Sequence, residues 1–134
     1  MEGKILKERI LLELNRSGEA LKEAQVLLKA GLGIGAISRA YYSILHAVRA
    51  VLLTVDIEPE SHHGAFTMFG LHFIKSKLIE EHFNDTYKRA MDAREQGDYT
   101  VTGKLSVEDA GKILAEAEGF IGRMKEFLKS KGLA

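Results

Sequence analysis

The chain has 134 residues, 46% of them apolar, which is enough to bury the core of a single domain. Nineteen basic residues balance nineteen acidic ones, so no net charge draws the whole protein to nucleic acid or to an anionic membrane. The absence of cysteine excludes disulfides, thiolate nucleophiles and thiolate metal ligands. No apolar run approaches the roughly 20 residues of a membrane span, and the charged start of the chain is not typical of a signal peptide, so we expect a cytoplasmic protein.

Residues 4–30 predict an amphipathic helix, because apolar or small side chains recur alternately four and three positions apart. The stripe consists of Ile10, Leu14, Ser17, Leu21, Ala24 and Leu28. The sequence "GLGIG" at residues 31–35 then predicts a turn between helices. A dinucleotide-binding loop would need a preceding strand, and here a helix precedes it.

A second helix, over about residues 36–55, is apolar on most of its circumference, which is typical of the central helix of a bundle. Its main stripe is Ile37, Tyr41, Ile44, Val48 and Leu52. The polar residues Arg39, Tyr42, His46 and Arg49 share another face. That face either meets solvent and acids of neighbouring helices, or forms a cationic groove for a phosphate-bearing ligand.

A third helical region is predicted to begin after the N-cap Ser61 and to end before Gly97, with a break near residues 77–80. A loop follows, and Ser106 with Asp109 resembles a capping box that opens the last helix. The core stripe of that helix is Ala110, Leu114, Ala117, Ile121, Met124 and Leu128. A second stripe of small residues, Gly111, Ala115, Gly119 and Gly122, predicts close packing against a helix of the same chain in preference to a partner interface.

No segment has the alternating pattern of a strand. The sequence therefore predicts an all-α protein, an antiparallel up-and-down bundle of four to five helices that forms one domain over residues 1–134. The five histidines include no pair four residues apart, so we expect neither a dedicated zinc site nor a cofactor.

Arg94 is the sharpest candidate for a functional residue, because it continues the inward stripe formed by Phe83, Tyr87 and Ala90. A cation is thereby predicted at the edge of the core. Asp98 and Tyr99 should lie just beyond the helix end and close to Arg94. An ion pair between Arg94 and Asp98 would anchor the loop, whereas a ligand site would use the same side chains to bind an anion.

Three segments, "SRAYYSILHAVRAVLL", "SHHGAFTMFGLHFIKSKLI" and "AREQGDY", resemble the small single-domain HEPN proteins of prokaryotes, and the resemblance covers most of the chain. It implies a bundle of about five helices, a homodimer, and a small nucleotidyltransferase as partner in toxin–antitoxin-like modules. Active members resemble metal-independent ribonucleases in which an arginine is followed, after four to six residues, by a histidine. Arg94 matches that arginine.

The chain departs from this motif where the histidine should be, since residues 99–101 are Tyr, Thr and Val. Asp98 could replace it only with a raised pKa, which the neighbouring Arg94 would oppose. Arg39 and His46 have the motif spacing, but they lie early in the chain and we interpret the match as accidental.

We therefore predict a noncatalytic module that binds nucleotide or RNA phosphate, or a partner nucleotidyltransferase. The predicted ligand-binding residues are Arg94, Asp98, Tyr99, Arg39, Tyr42 and His46. A divergent metal-independent ribonuclease and a purely structural partner subunit are the alternatives.

Overall fold

The computed structural model describes residues 2–99 and 107–134, apart from the side chains of residues 98 and 99. It contains α1 (Gly3–Lys29), α2 (Gly33–Leu53), α3 (His62–Phe69), α4 (Glu81–Tyr99) and α5 (Val107–Ser130), with a π-helical turn at Gly70–Ile74. The described residues form no strand, so the prediction of an all-helical bundle is confirmed. Over the same residues, none of the helices combines the length and the hydropathy that a bilayer crossing needs.

Helix α2 is the centre of the bundle and packs against α1, α3, α4 and α5. Its buried residues include the whole predicted stripe, namely Ile37, Tyr41, Ile44, Val48 and Leu52, together with four of its alanines. The apolar circumference of α2 is covered on several sides because other helices surround it.

The pairing of α1 with α2 is antiparallel across a connection of only three residues, 30–32. Gly31 has a φ of 78°, a left-handed conformation that glycine adopts without strain. Between the helices, the Ser17 hydroxyl donates a hydrogen bond to the carbonyl of Ser43 at 2.7 Å. Both serines are fully buried, and their small side chains allow the two backbones to approach closely.

The core between α3, α4 and α5 is aromatic. The Phe120 ring of α5 lies 5.6 Å from Phe69 and 5.9 Å from Tyr87, measured between ring centres. Every residue of the predicted α5 core stripe is buried: Ala110, Leu114, Ala117, Ile121, Met124 and Leu128. The four-and-three spacing therefore identified the inner face of this helix correctly.

The predicted N-cap and the predicted break in the third helical region are both confirmed. The Ser61 hydroxyl accepts a hydrogen bond from the Gly64 amide at 2.9 Å, as an N-cap does. The break lies between the π-helical turn, which ends at Ile74, and α4, which begins at Glu81. Within it, Lys77 has a φ of 64°. This break allows the chain to return across the bundle and to direct α4 past the start of α2.

The predicted end of α4 before Gly97 is wrong, because the helix continues to Tyr99. A Cβ atom on residue 97 would lie 3.3 Å from Cγ2 of Ile34, so the glycine accommodates a close approach to the start of α2 and does not terminate the helix. The predicted loop from residue 100 and the capping box at Ser106 lie outside the described residues.

The prediction that the small residues of α5 pack inside the same chain is also wrong. Ala115, Gly119 and Gly122 are exposed, and a Cβ atom added at Gly111, Gly119 or Gly122 would meet no atom within 4 Å. The physical reason is that the larger apolar stripe occupies the face of α5 turned to the core, which leaves the small residues on the outer face. A partner interface, the less favoured alternative in the sequence analysis, is the interpretation of these small residues that stays open.

Candidate functional site

Arg94 lies at the edge of the core, as its place in the inward stripe of α4 predicted. Ala90, one turn before it, and Tyr87, two turns before it, are buried. The guanidinium carbon of Arg94 lies 5.2 Å from the centre of the Tyr41 ring and 5.4 Å from that of Tyr42. The cation is therefore held over two aromatic faces contributed by α2.

A second cation reaches the same tyrosine from its own helix. The guanidinium carbon of Arg39 lies 4.7 Å from the centre of the Tyr42 ring. Arg39 also lies 3.5 Å from the carboxylate of Glu23 on α1, and 35% of its side chain is exposed. Two interpretations of this face were open. The contact between Arg39 and Glu23 agrees with pairing to an acid of a neighbouring helix. The approach of both Arg39 and Arg94 to Tyr42 agrees with a cationic groove.

His62, which the sequence analysis considered only as a zinc ligand, lies beside both tyrosines. Its ring centre is 5.5 Å from Tyr41 and 5.6 Å from Tyr42. Partial burial lowers the pKa of His62, and the positive charges of Arg94 and Arg49 lower it further. The imidazole is consequently neutral at pH 7.

Tyr41 and Tyr87 place two phenol groups in the interior behind these cations. Burial raises the pKa of Tyr41 to about 12, although Arg94 acts in the opposite direction. Burial raises the pKa of Tyr87 further still. Neither hydroxyl has a hydrogen-bond partner among the residues that the structure describes. Both phenols stay protonated at neutral pH and contribute no negative charge.

We refer to Arg39, Tyr41, Tyr42, His62 and Arg94 as the arginine–tyrosine cluster. Its members come from α2, α3 and α4, so it exists only in the folded bundle. It combines two guanidinium groups, which can donate to phosphate oxygens, with aromatic rings that fix their positions. Within the described residues, no three histidine or acidic side chains are grouped so that they could hold a metal ion.

His46, a predicted member of the site, is turned towards α1. Its Nδ1 atom lies 3.0 Å from Oε2 of Glu13, and the same carboxylate lies 3.6 Å from Arg16. The two residues with the motif spacing thus each contact an acid of α1: Arg39 contacts Glu23, and His46 contacts Glu13.

Asp98 and Tyr99 belong to the last turn of α4, but their side chains lie outside the described residues. The ion pair between Arg94 and Asp98 therefore stays a prediction. Of the six predicted site residues, the structure brings Arg94, Arg39 and Tyr42 together.

Sequence reasoning missed Tyr41 and His62 as neighbours of Arg94. Tyr41 was interpreted as a core residue. It is buried in the core, and its ring also contacts the guanidinium of Arg94. The only sequence signal for His62 is its position after the N-cap Ser61, and that signal does not reveal that α3 begins beside α2.

Residues 12–127 match the family described as the HEPN domain. Two proteins of Methanocaldococcus jannaschii, both named "Putative toxin", are similar to this chain. One is 37% identical over 127 residues, which cover 95% of this chain and 94% of the relative. The other is 30% identical over 137 residues, which cover 99% and 93%. A Pyrococcus horikoshii protein named "UPF0332 protein" is 50% identical over 62 residues, or 46% of this chain and 44% of that protein.

Proposed function

Because the chain belongs to the HEPN domain family, which its match over residues 12–127 shows, we propose that it is a noncatalytic HEPN module that binds a phosphate-bearing ligand, RNA or a nucleotide, at the arginine–tyrosine cluster. The name "Putative toxin", which two of its relatives bear, supports a toxin-like role. Three features of the cluster and the neighbouring sequence support the proposal.

The observation that carries the proposal is the convergence of Arg39 and Arg94 on the ring of Tyr42. The two cations come from different helices, α2 and α4, and the folded bundle holds both guanidinium groups at one aromatic ring. A phosphate group, which accepts hydrogen bonds on several oxygens, matches the fork of donors on each guanidinium.

The neutral phenols of Tyr41 and Tyr87 support the same assignment. They lie behind the cations and supply no competing carboxylate. Aromatic side chains beneath the cations lower the local dielectric constant, which strengthens the attraction between a guanidinium and a phosphate oxygen.

The noncatalytic part of the proposal rests on the sequence after Arg94. Residues 99–101 are Tyr, Thr and Val, so the position that would carry a general base holds none.

Metal-independent RNA cleavage is a second candidate, and one observation favours it. The imidazole of His62 lies beside the same two tyrosine rings as Arg94, and its lowered pKa makes it neutral at pH 7. A neutral imidazole can accept a proton from a hydroxyl group such as the RNA 2′-hydroxyl. His62 would then replace in space the histidine that is missing in sequence.

The proposal includes a homodimer in which two clusters form one composite cleft. A twofold axis near Arg94 would double the phosphate donors without any further sequence. The resemblance to nucleotidyltransferase-associated HEPN proteins supports a small nucleotidyltransferase as the partner, and co-purification after co-expression with such an enzyme tests that part.

The binding proposal is tested with a fluorescently labelled single-stranded RNA and, separately, a labelled nucleotide, using anisotropy at several salt concentrations. We expect saturable binding that Arg94→Ala weakens by about tenfold or more, the loss expected for one charge-assisted contact. Arg89→Ala is the matched control, because Arg89 is an α4 arginine that pairs with Glu116 away from the cluster. Equal effects of the two substitutions, or no saturable binding of either probe, would contradict the proposal.

A further inference from the structure

A pocket of about 270 Å³ lies between α1, the C-terminal end of α2 and the connection that follows α2. Leu53 and Ile57 form part of its apolar wall. Its charged lining consists of Arg9, Glu13, Arg16, Arg49 and Glu58. None of the five members of the arginine–tyrosine cluster lines it, so the pocket is a separate feature of the molecule.

Both carboxylates of the pocket already have cationic partners. Nη1 of Arg9 donates to Oε2 of Glu58 at 3.2 Å. Oε1 of Glu13 lies 3.6 Å from Arg16, and its other oxygen lies 3.0 Å from His46. The negative charges of the lining are therefore matched by contacts that do not involve Arg49.

Arg49 is the third guanidinium of the pocket, and its position is different. It makes no hydrogen bond or ion pair with the other residues that the structure describes, and its Nε atom is buried. Its positive charge acts on Tyr41, Tyr87 and His62, two phenols with raised pKa values and an imidazole with a lowered pKa. All three are uncharged at pH 7, so none of them provides a counter-charge.

Three guanidinium groups against two carboxylates give the pocket an excess of one positive charge, and Arg49 carries it. Arg49 is half-buried and its Nε atom is removed from water, and a cation that loses hydration without a counter-charge costs free energy. An anion that enters the pocket would remove that cost. The apolar wall would strengthen the attraction by lowering the local dielectric.

We propose that this pocket binds a small organic anion, whose phosphate or carboxylate group pairs with Arg49 and whose apolar part lies against Leu53 and Ile57. The volume is just below the usual lower limit of about 300 Å³ for ligand sites, so the ligand is smaller than a typical drug. The site is independent of the proposed RNA site, since it needs neither Arg94 nor Arg39.

The test is a titration of the full-length, isotope-labelled protein, followed by NMR at the Nε–H signal of Arg49 and the amide signal of Ile57. The probes are phenyl phosphate, benzoate and inorganic phosphate. We expect saturable shifts at both signals, with one aromatic anion binding more tightly than inorganic phosphate because its ring buries apolar wall. The preferred aromatic anion identifies the phosphate or the carboxylate as the natural group.

Two variants test the location of binding. Arg49→Gln removes the charge, and Leu12→Trp places a large ring at the rim, where Leu12 is 50% exposed and its replacement does not disturb the core. We expect each to weaken binding about tenfold or more, and Arg94→Ala to leave it unchanged. The proposal would be overturned by any of three results: no saturable shifts in wild type, unchanged affinity in Leu12→Trp, or a loss of affinity in Arg94→Ala equal to that in Arg49→Gln. If RNA binding fails while the small anions still bind, only the proposed function is contradicted.

Discussion

Nε of Arg123 donates a hydrogen bond to Oε1 of Glu80 at 2.7 Å, and this contact ties α5 to the residue immediately before α4. A second nitrogen of Arg123 donates to the carbonyl of Leu78 at 3.2 Å. One side chain of α5 thus fixes the break between α3 and α4 that brings Arg94 to the tyrosines.

We expect Glu80→Gln to make the stability of the protein less sensitive to acid. The hydrogen bond from Arg123 lowers the pKa of Glu80 below its ordinary 4.5. The contribution of this pair to the stability of the fold is therefore complete above pH 4.5, and it is lost as the pH falls through the lowered pKa. Urea unfolding at a series of pH values measures the effect. At pH 7 the loss should stay below about 1 kcal/mol, because the Glu80 side chain is 53% exposed and solvent screens the pair.

Glu81→Gln is the control for this experiment, because Glu81 is the exposed neighbouring acid. A free energy of unfolding that falls equally steeply with acid in wild type and Glu80→Gln would contradict the prediction.

We expect Arg94→Gln to raise the pKa of His62 towards 6.5. Burial is the main cause of the lowered value, and Arg94 is the larger of the two charge effects, so the substitution should reverse the shift only in part. NMR titration of the imidazole signals measures it. Arg89→Gln should leave the titration unchanged, and an equal shift in both variants would show that Arg94 does not act on His62 directly.

We expect no cleavage of mixed RNA by the isolated protein in the presence of a chelator, because the residues after Arg94 include no histidine at the motif positions. Electrophoresis of the RNA after incubation is the measurement, with Arg94→Ala and His62→Asn in parallel. Cleavage by wild type that both substitutions abolish would support the second candidate function and refute the noncatalytic one.

We expect a homodimer with a composite cleft, in which Asp98 neutralises Arg94 until an anionic ligand displaces it. Light scattering at micromolar concentration should give twice the chain mass. Asp98→Asn should tighten binding of labelled RNA, while Arg94→Ala weakens it. A stable monomer would rule out the composite cleft, as would two substitutions that change the affinity in the same direction.

We expect Gly119→Ala to stabilise the isolated protein by about 1 kcal/mol, because an exposed helix interior favours alanine and the new methyl group meets no atom within 4 Å. Gly97→Ala should gain less or lose stability, since its Cβ would press on Ile34 at 3.3 Å. Chemical denaturation of both variants makes the comparison, and a larger gain at residue 97 than at residue 119 would contradict the packing described for α4.

The spacing of apolar residues predicted which helices form and which faces they bury, because burial of a stripe is a local property of the sequence. It also identified Arg94 as a cation at the core edge. The end of α4 was missed because Gly97 looks like a helix terminator, and only the position of Ile34 on another helix explains it. His62 was missed for the same kind of reason, since its proximity to Arg94 depends on how α3 packs and no spacing within one helix encodes that.

The three-residue connection between α1 and α2 also bears on the order in which the chain folds. Closing so short a loop costs little conformational entropy, so the α1–α2 hairpin can form while later residues are still being synthesised. Its central helix then presents to water the apolar surface that α4 and α5 will cover. Until those helices arrive, α2 is the surface on which a chaperone, or the corresponding helices of another nascent copy, could bind.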